Sequence, residues 1–126
     1  MNQIKSIETG TFAISNNIVK LEISNNPLNE SIQFENFEIL SDLEGNNANI
    51  GHLHISTLSG LKDLKKLSFC QSRIETIEDE AFRNLALLKT IDLKYNKLLT
   101  LKNRTFIGLS ALEVLELDYN LISLIE

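Results

Sequence analysis

Two histidines and a single cysteine are the residues of this chain whose types are best suited to chemistry. His52 and His54 flank Leu53, a spacing that could turn two imidazoles toward one metal ion. No third ligand recurs beside them, so the alternative is a pair of solvent-facing histidines in a turn. Cys70 lies in the stretch SFCQS, and no histidine occupies a matching position that could activate it as a nucleophile. The sequence also lacks a glycine-rich phosphate loop, GxSxG and HExxH, so we predict a non-enzyme without a metal or cofactor.

A second set of candidates combines tyrosines with carboxylates. The stretch LKTIDLKYN at 88–96 returns as LEVLELDYN at 112–120, so Tyr95 and Tyr119 occupy matching positions. The charged residues that accompany them are Asp92, Lys94, Glu116 and Asp118. Tyrosine is common at protein interfaces because it joins rigid contact area to a polar tip. An aromatic pair among carboxylates also offers a basic side chain both cation–π contact and an ion pair.

Two tripeptides have the pattern of an N-glycosylation acceptor. They are NES at Asn29 and NRT at Asn103, and both fall in segments that we expect to be exposed returns of the chain. The sequence is rich in Asn, Ser and Thr, so about two such tripeptides are expected by chance. They therefore add little to the interpretation.

Composition sets the limits within which these residues act. The chain has 126 residues, of which 43% are hydrophobic and 23% charged, as expected for one globular domain spanning 1–126. A net charge of −5 and a pI near 5.0 argue against a nucleic-acid partner. No apolar run is long enough for a membrane span, and the start MNQIKSIETG lacks the features of a secretory signal. One cysteine cannot form an internal disulfide.

The repeated stretches belong to a longer internal periodicity. A half-unit covers 1–17, and full units start near 18, 40, 64, 88 and 112. Each unit begins LxxLxL, in which the L-x-L part alternates as a short strand does. This alternation predicts that Ile91 and Leu93 point inward while Asp92 and Lys94 point outward. One such unit cannot bury its own apolar edge, so repetition builds a continuous core from pieces too small to fold alone.

The stretch LKTIDLKYNKLLTLKNRTFIGLSA resembles a typical leucine-rich repeat, LxxLxLxxNxLxxLxxxxFxxL. The resemblance implies a right-handed solenoid of the α/β type, with a parallel sheet on the concave face and irregular or short 3₁₀ segments on the convex face. An amphipathic helical repeat is the alternative, but the L-x-L-x-x-N alternation spoils a helical stripe. The phenylalanine form of the repeat is similar to that of Toll-like receptor ectodomains and related extracellular proteins. It therefore implies an extracellular domain or ectodomain fragment, while a cytoplasmic location is the alternative.

The second unit departs from the repeat pattern. Gly45 stands where an inward leucine is expected, which predicts a loss of buried volume. The position of the repeat's asparagine reads Asn26, Ala48, Ser72, Asn96 and Asn120. Alanine cannot bond the neighbouring backbone as asparagine does, so Asn46, Asn47 or Asn49 could substitute if the register slips. The exact register of residues 40–52 is therefore left open.

The outward strand residues predict the functional surface. The middle outward column runs Glu22, Glu44, Ser68, Asp92 and Glu116, and the last outward column runs Asn25, Asn47, Gln71, Tyr95 and Tyr119. This pattern favours a protein-recognition module whose acidic, tyrosine-edged concave face binds a basic partner. Charges that merely keep a sheet soluble are the simpler interpretation. The other function considered is assembly, in which molecules self-associate through the ends of the solenoid.

Overall fold

The structure is a computed structural model that describes residues 2–14 and 17–126. In chain order, the elements of these residues are β1 (Lys20–Glu22), β2 (Asp42–Glu44), β3 (His52–Leu53), α1 (Ile55–Leu58), β4 (Lys66–Ser68), β5 (Thr76–Ile77), β6 (Thr90–Asp92), β7 (Thr100–Leu101), β8 (Val114–Glu116) and β9 (Leu124–Ile125). None of the helical residues described forms a segment long and apolar enough to cross a membrane.

One strand from each repeat unit enters a five-stranded sheet. Its order is β1-β2-β4-β6-β8, and every neighbouring pair is parallel. The inward residues pair across the strands in the order Leu21, Leu43, Leu67, Ile91 and Leu115. Parallel strands need a long return between them, which the rest of each unit supplies. The parallel-sheet solenoid predicted from the repeats is confirmed.

The core lies between this sheet and the return segments. Leu43 and Leu67 on the inner sheet face are at most 1% exposed. Ile91 and Leu93, predicted to point inward, are both 0% exposed. Phe37 and Phe82 reach in from the return segments and are also fully buried. The buried leucines and phenylalanines form one continuous cluster, because each turn covers the apolar edge of the next.

The second unit keeps the register, and its glycine leaves no empty space. Leu43 pairs with Leu21 and Leu67, so residues 40–52 do not slip. Gly45 does occupy the inward position, but a Cβ placed there would lie 2.6 Å from the ring of Phe69. The expected loss of volume is therefore wrong, because the phenylalanine of the next turn fills the space.

Ala48 interrupts the series of repeat asparagines, and other polar side chains join the turns beside it without a change of register. In a complete turn, the Asn96 side chain accepts from the N–H of Ser72 at 3.0 Å and donates to the carbonyl of Phe69 at 2.8 Å. In the second unit, Asn46 Oδ1 accepts from the N–H of Cys70 at 2.8 Å. The Ser72 hydroxyl contributes a further bond, to the carbonyl of Gly45 at 3.1 Å. Both bonds join the second turn to the third. Toward the first turn, where Ala48 offers no side-chain bond, the Asn46 N–H donates to Ser24 Oγ at 3.0 Å.

The convex side is irregular, as predicted. Single turns with i to i+3 hydrogen bonds recur there, for example from the Leu64 N–H to the Leu61 carbonyl at 3.1 Å. The sequence did not predict two short parallel ladders on the flank, β3 with β5 and β7 with β9. Within the part of the chain described, no ladder joins β5 to β7.

Candidate functional site

The backbone holds the last outward column in one unusual conformation. Tyr95 and Tyr119 have φ of 58° and 59°, and the matching residues of the other turns, Asn25, Asn47 and Gln71, have φ of 60°, 55° and 54°. This left-handed region is uncommon for residues other than glycine. The Tyr95 N–H donates to the carbonyl of Asp118 at 3.0 Å, which couples the conformation to the next turn. The side chains of the column are therefore held at one repeated orientation at the sheet edge.

Tyr95 and Tyr119 are direct neighbours, as their spacing predicts. Their ring centroids lie 4.4 Å apart and the ring planes differ by 3°, so the rings are stacked. The residues remain 48% and 72% exposed. Partial burial beside the Tyr119 ring raises the pKa of Tyr95 above its ordinary value. At the opposite end of the column, Asn47 Nδ2 donates to Asn25 Oδ1 at 3.0 Å.

Stacking limits where a basic group can contact the two tyrosines. A cation cannot enter between two parallel rings whose centroids are 4.4 Å apart, because no space remains between them. A partner's basic group can reach only the outer ring surfaces and the ring edges. The tyrosine pair therefore presents one flat, polar-edged surface.

Lys94 lies among the carboxylates beside the tyrosines. Its Nζ is 3.1 Å from Glu116 Oε2 and 3.6 Å from Asp92 Oδ2. The hydrogen bond to Glu116 raises the pKa of Lys94 above its ordinary value. Among the described residues, Asp118 has no ion-pair partner and is exposed. The unpaired carboxylate at this site is therefore that of Asp118.

The far end of the acidic column has its own lysine. Lys20 Nζ lies 2.8 Å from Glu22 Oε1, 3.6 Å from Glu44 Oε1 and 4.0 Å from Asp42 Oδ2. The hydrogen bond to Glu22 raises the pKa of Lys20. The acidic column considered from the sequence did not include these ion pairs. The spacing was a signal for them, because Lys20 and Lys94 stand two residues from Glu22 and Asp92 on the same face of their strands. The lysines reduce repulsion between carboxylates on strands about 4.8 Å apart.

The histidines lie on the flank rather than on the concave sheet. His52 Nε2 is 3.9 Å from Glu30 Oε2, and His54 Nδ1 is 3.6 Å from Glu78 Oε2. The two rings are 6.3 Å apart. Over residues 2–14 and 17–126, no group of three or more His, Cys, Asp or Glu side chains is placed to hold a metal ion. Each histidine instead contacts a carboxylate of a neighbouring turn.

Cys70 sits on the concave face, partly covered. Burial, with a smaller contribution from Asp92, raises the pKa of its thiol. The thiolate is the nucleophilic form, so these surroundings disfavour nucleophilic chemistry.

The two sequon asparagines have different surroundings. Asn29 is partly buried, and its Oδ1 accepts from the Ser31 N–H at 3.0 Å. Asn103 is exposed, between β7 and the convex turns. In its sequon, Thr105 is buried and accepts from the Lys102 N–H at 2.9 Å. Neither asparagine lies on the concave sheet.

The flank also contains a cavity that the sequence did not predict. It measures about 380 Å³ and lies between β5 and β7, with Thr76 and Ile77 on one side and Leu99 and Thr100 on the other. Glu75, Lys102 and Glu126 complete its lining. The signal available in the sequence was Leu99, an aliphatic residue outside the inward positions of the repeat. The structure leaves this side chain exposed.

The repeats and the solenoid define a class of protein. Residues 40–98 and 62–122 each match the leucine rich repeat family, and together they cover more than half of the chain. The protein belongs to the leucine-rich repeat family. A comparison with curated proteins returned no significant match.

Two solved structures show how this stretch of repeats fits into longer solenoids. The protein of the TLR13–ssRNA13 complex superposes with a TM-score of 0.92 at 29% identity, covering 98% of this chain and 18% of that one. The Drosophila Toll–Spatzle complex contains a chain that superposes with a TM-score of 0.82 at 20% identity, again over 98% of this chain and 18% of that one. The protein thus spans about a fifth of the length of the solved chains it resembles. The likeness to Toll-like receptors inferred from the repeats is confirmed.

Proposed function

We propose that this protein is a recognition module that binds a basic protein surface through the C-terminal half of its concave face. The binding residues are Asp92, Lys94, Tyr95, Glu116, Asp118 and Tyr119. The leucine-rich repeat scaffold supports a recognition role in general.

The observation that carries the proposal is the exposed tyrosine stack beside an unpaired carboxylate. Tyr119 is 72% exposed while its ring is held parallel to that of Tyr95, so little freedom is lost when a partner covers it. Asp118 stands next to Tyr119 in the chain and has no ion-pair partner among the described residues. Three carboxylates against one lysine leave the site with two negative charges. Such a site suits a partner's arginine or lysine.

A protein partner is favoured over RNA. The TLR13 structure is a complex with single-stranded RNA, and the Toll structure is a complex with Spatzle. A nucleic-acid site requires basic residues against the phosphates, whereas the proposed site is acidic. The likeness to the TLR13 chain also supports an extracellular setting, in which the sequons at Asn29 and Asn103 would carry glycans away from the concave face.

Hexa-arginine amide is a suitable probe of this site, with hexaglutamate and a single-stranded oligouridine as controls. Titrated into ¹⁵N-labelled protein, hexa-arginine should shift the amide resonances of Tyr95, Asp118 and Tyr119, and the effect should weaken as salt rises. Hexaglutamate and RNA should leave them unchanged. Saturable binding of the RNA, or arginine-induced shifts confined to convex residues such as Arg83 and Arg104, would overturn the proposal.

Assembly through the solenoid end is the second candidate function. Leu115, Leu124 and Ile125 are 36%, 49% and 75% exposed on the last turn, and β8 and β9 each pair on one side only within the described residues. Exposed apolar residues next to a free strand edge favour pairing with another molecule. Sedimentation at rising concentration tests it: salt should not weaken apolar association, whereas it should weaken binding by the charged face.

A further inference from the structure

We infer that the cavity between β5 and β7 receives an aliphatic side chain of the same basic partner that the concave face binds. This inference rests on the proposed function. It assigns the flank a second contact point and describes the partner as basic residues followed by an aliphatic one.

One hydroxyl group interrupts the flank ladder beside the cavity. At matching positions of two other turns, the Glu78 N–H donates to the Leu53 carbonyl and the Glu126 N–H to the Leu101 carbonyl, each at 2.9 Å. The Lys102 N–H instead donates to Thr105 Oγ1 at 2.9 Å. The bond that would draw β7 against β5 is therefore replaced by a local one.

The repeat position of Thr105 distinguishes the junction of β5 and β7 from that of β3 and β5. Ala81 holds the same position one turn earlier and has no hydroxyl with which to compete. There the ladder between β3 and β5 forms. The missing ladder distinguishes the junction of β5 and β7, whereas a cavity as such does not, because one of about 560 Å³ also lies beside β3 and β5.

The lining of the cavity fits an aliphatic side chain with a basic neighbour. Ile77 is 8% exposed and Leu99 is 53% exposed, so the wall combines a buried aliphatic residue with an accessible one. Its volume of about 380 Å³ is ample for a leucine side chain. Lys102 lies 3.6 Å from Asp79 Oδ1, which partly neutralises it, while Glu75 at the rim has no ion pair among the described residues. The rim therefore has the same sign of charge as the concave site.

Exposed apolar residues connect the cavity to the tyrosine pair. Leu99 follows Tyr95 by four residues, and Leu121, which is 60% exposed, follows Tyr119 by two. The Leu121 N–H donates to the carbonyl of Leu98 at 3.0 Å, which holds the two turns together here. A single extended segment of a partner can therefore contact both places.

The cavity is tested first without any basic probe. N-acetyl-leucine amide, titrated into ¹⁵N-labelled protein, should give saturable shifts at Ile77, Leu99 and Thr100, and N-acetyl-serine amide should not. Leu99→Ser should abolish the shifts, and Thr105→Val should reduce them by freeing the Lys102 N–H to pair with β5. The matched control is Leu87→Ser, which changes a 46% exposed leucine outside the cavity. Absence of saturable shifts, or shifts that persist in Leu99→Ser, would overturn the inference.

The link to the concave site is tested with peptides of the form Arg-Arg-Glyₙ-Leu, with one to four glycines, against the same peptides ending in serine. At the best linker length, leucine should tighten binding about fivefold, as expected for partial burial of one aliphatic side chain. Leu99→Ser should remove this difference and leave the serine peptides unaffected. Equal affinity of both series would overturn the shared site. Filling of the cavity by N-acetyl-leucine amide without binding of any arginine peptide would instead overturn the proposed function of the concave face.

Discussion

The ring of Phe69 occupies the space above Gly45 that a side chain of the second unit would otherwise fill. Both residues hold the same inward position of successive turns, and Phe69 is 0% exposed. One turn thus omits a side chain where the next supplies a larger one. Solenoid turns stack in contact, so a volume change in one unit is compensated in its neighbour.

Enlarging Gly45 should therefore destabilise the protein although it restores the repeat pattern. Gly45→Leu is expected to lower the free energy of unfolding by about 1–3 kcal/mol through overpacking against Phe69. Phe69→Leu alone should also destabilise, because it leaves a cavity, while the double variant should be more stable than the two single effects predict. Urea unfolding of the four proteins measures this coupling. Additive effects would mean that the two side chains do not share one space.

Inward and outward residues of the main sheet's strands and of the segments that follow them should respond very differently to substitution. Leu93→Asp places an unpaired charge at a position that is 0% exposed and should unfold the middle of the stack. Asp118→Ala, on the exposed face, should change the unfolding temperature little. Asp92→Ala should fall between them, because Asp92 Oδ1 accepts from the Lys94 N–H at 3.0 Å. Circular dichroism melts would contradict the register if Leu93→Asp melted with the wild type.

The tyrosine stack should be visible in an alkaline titration. The chain has two tyrosines, so in Tyr119→Phe the phenolate absorbance reports Tyr95 alone. Partial burial is the main cause of the raised pKa of Tyr95. A phenylalanine ring at position 119 keeps that burial. The midpoint of the Tyr95 titration should therefore lie above 10.0 in the folded variant and return to about 10 in urea.

The sign of the linked stability follows from that direction. The folded state binds the phenolic proton more tightly than the unfolded state does, so the stabilisation is fully present below the unfolded pKa and is lost as pH rises through the folded pKa. Equal midpoints with and without urea would contradict the stack.

Binding should depend more on Tyr119 than on the distant end of the acidic column. With hexa-arginine as probe, Tyr119→Ala should weaken the free energy of binding by about 1–2 kcal/mol, a common loss when a tyrosine buried in an interface is removed. Glu22→Ala should act weakly and mainly through the association rate, because Glu22 already pairs with Lys20 at 2.8 Å. Calorimetry at low and moderate salt compares the two variants. A larger effect for Glu22→Ala would place the site at the other end of the sheet.

The strand register and the burial of the repeat residues could be predicted from the amino-acid sequence, because apolar residues recur at nearly constant spacing. A single alternation decides that Leu93 is buried and that Asp92 is not, and the same spacing places Tyr95 beside Tyr119. Both outcomes depend only on positions within a unit and on the stacking of identical units. The solenoid and its concave surface follow from that local information.

Contacts between particular side chains of different turns were decided by the tertiary structure alone. Whether Phe69 fills the space at Gly45 depends on its rotamer, and whether Asn46 bonds the third turn depends on where its amide meets the Cys70 N–H. Beside Leu99 the flank ladder is interrupted because the Thr105 hydroxyl, rather than a neighbouring carbonyl, accepts from the Lys102 N–H. Spacing along a chain says which turn a residue belongs to, but not which of two nearby acceptors lies within hydrogen-bond distance. That choice is made by the three-dimensional packing of the turns.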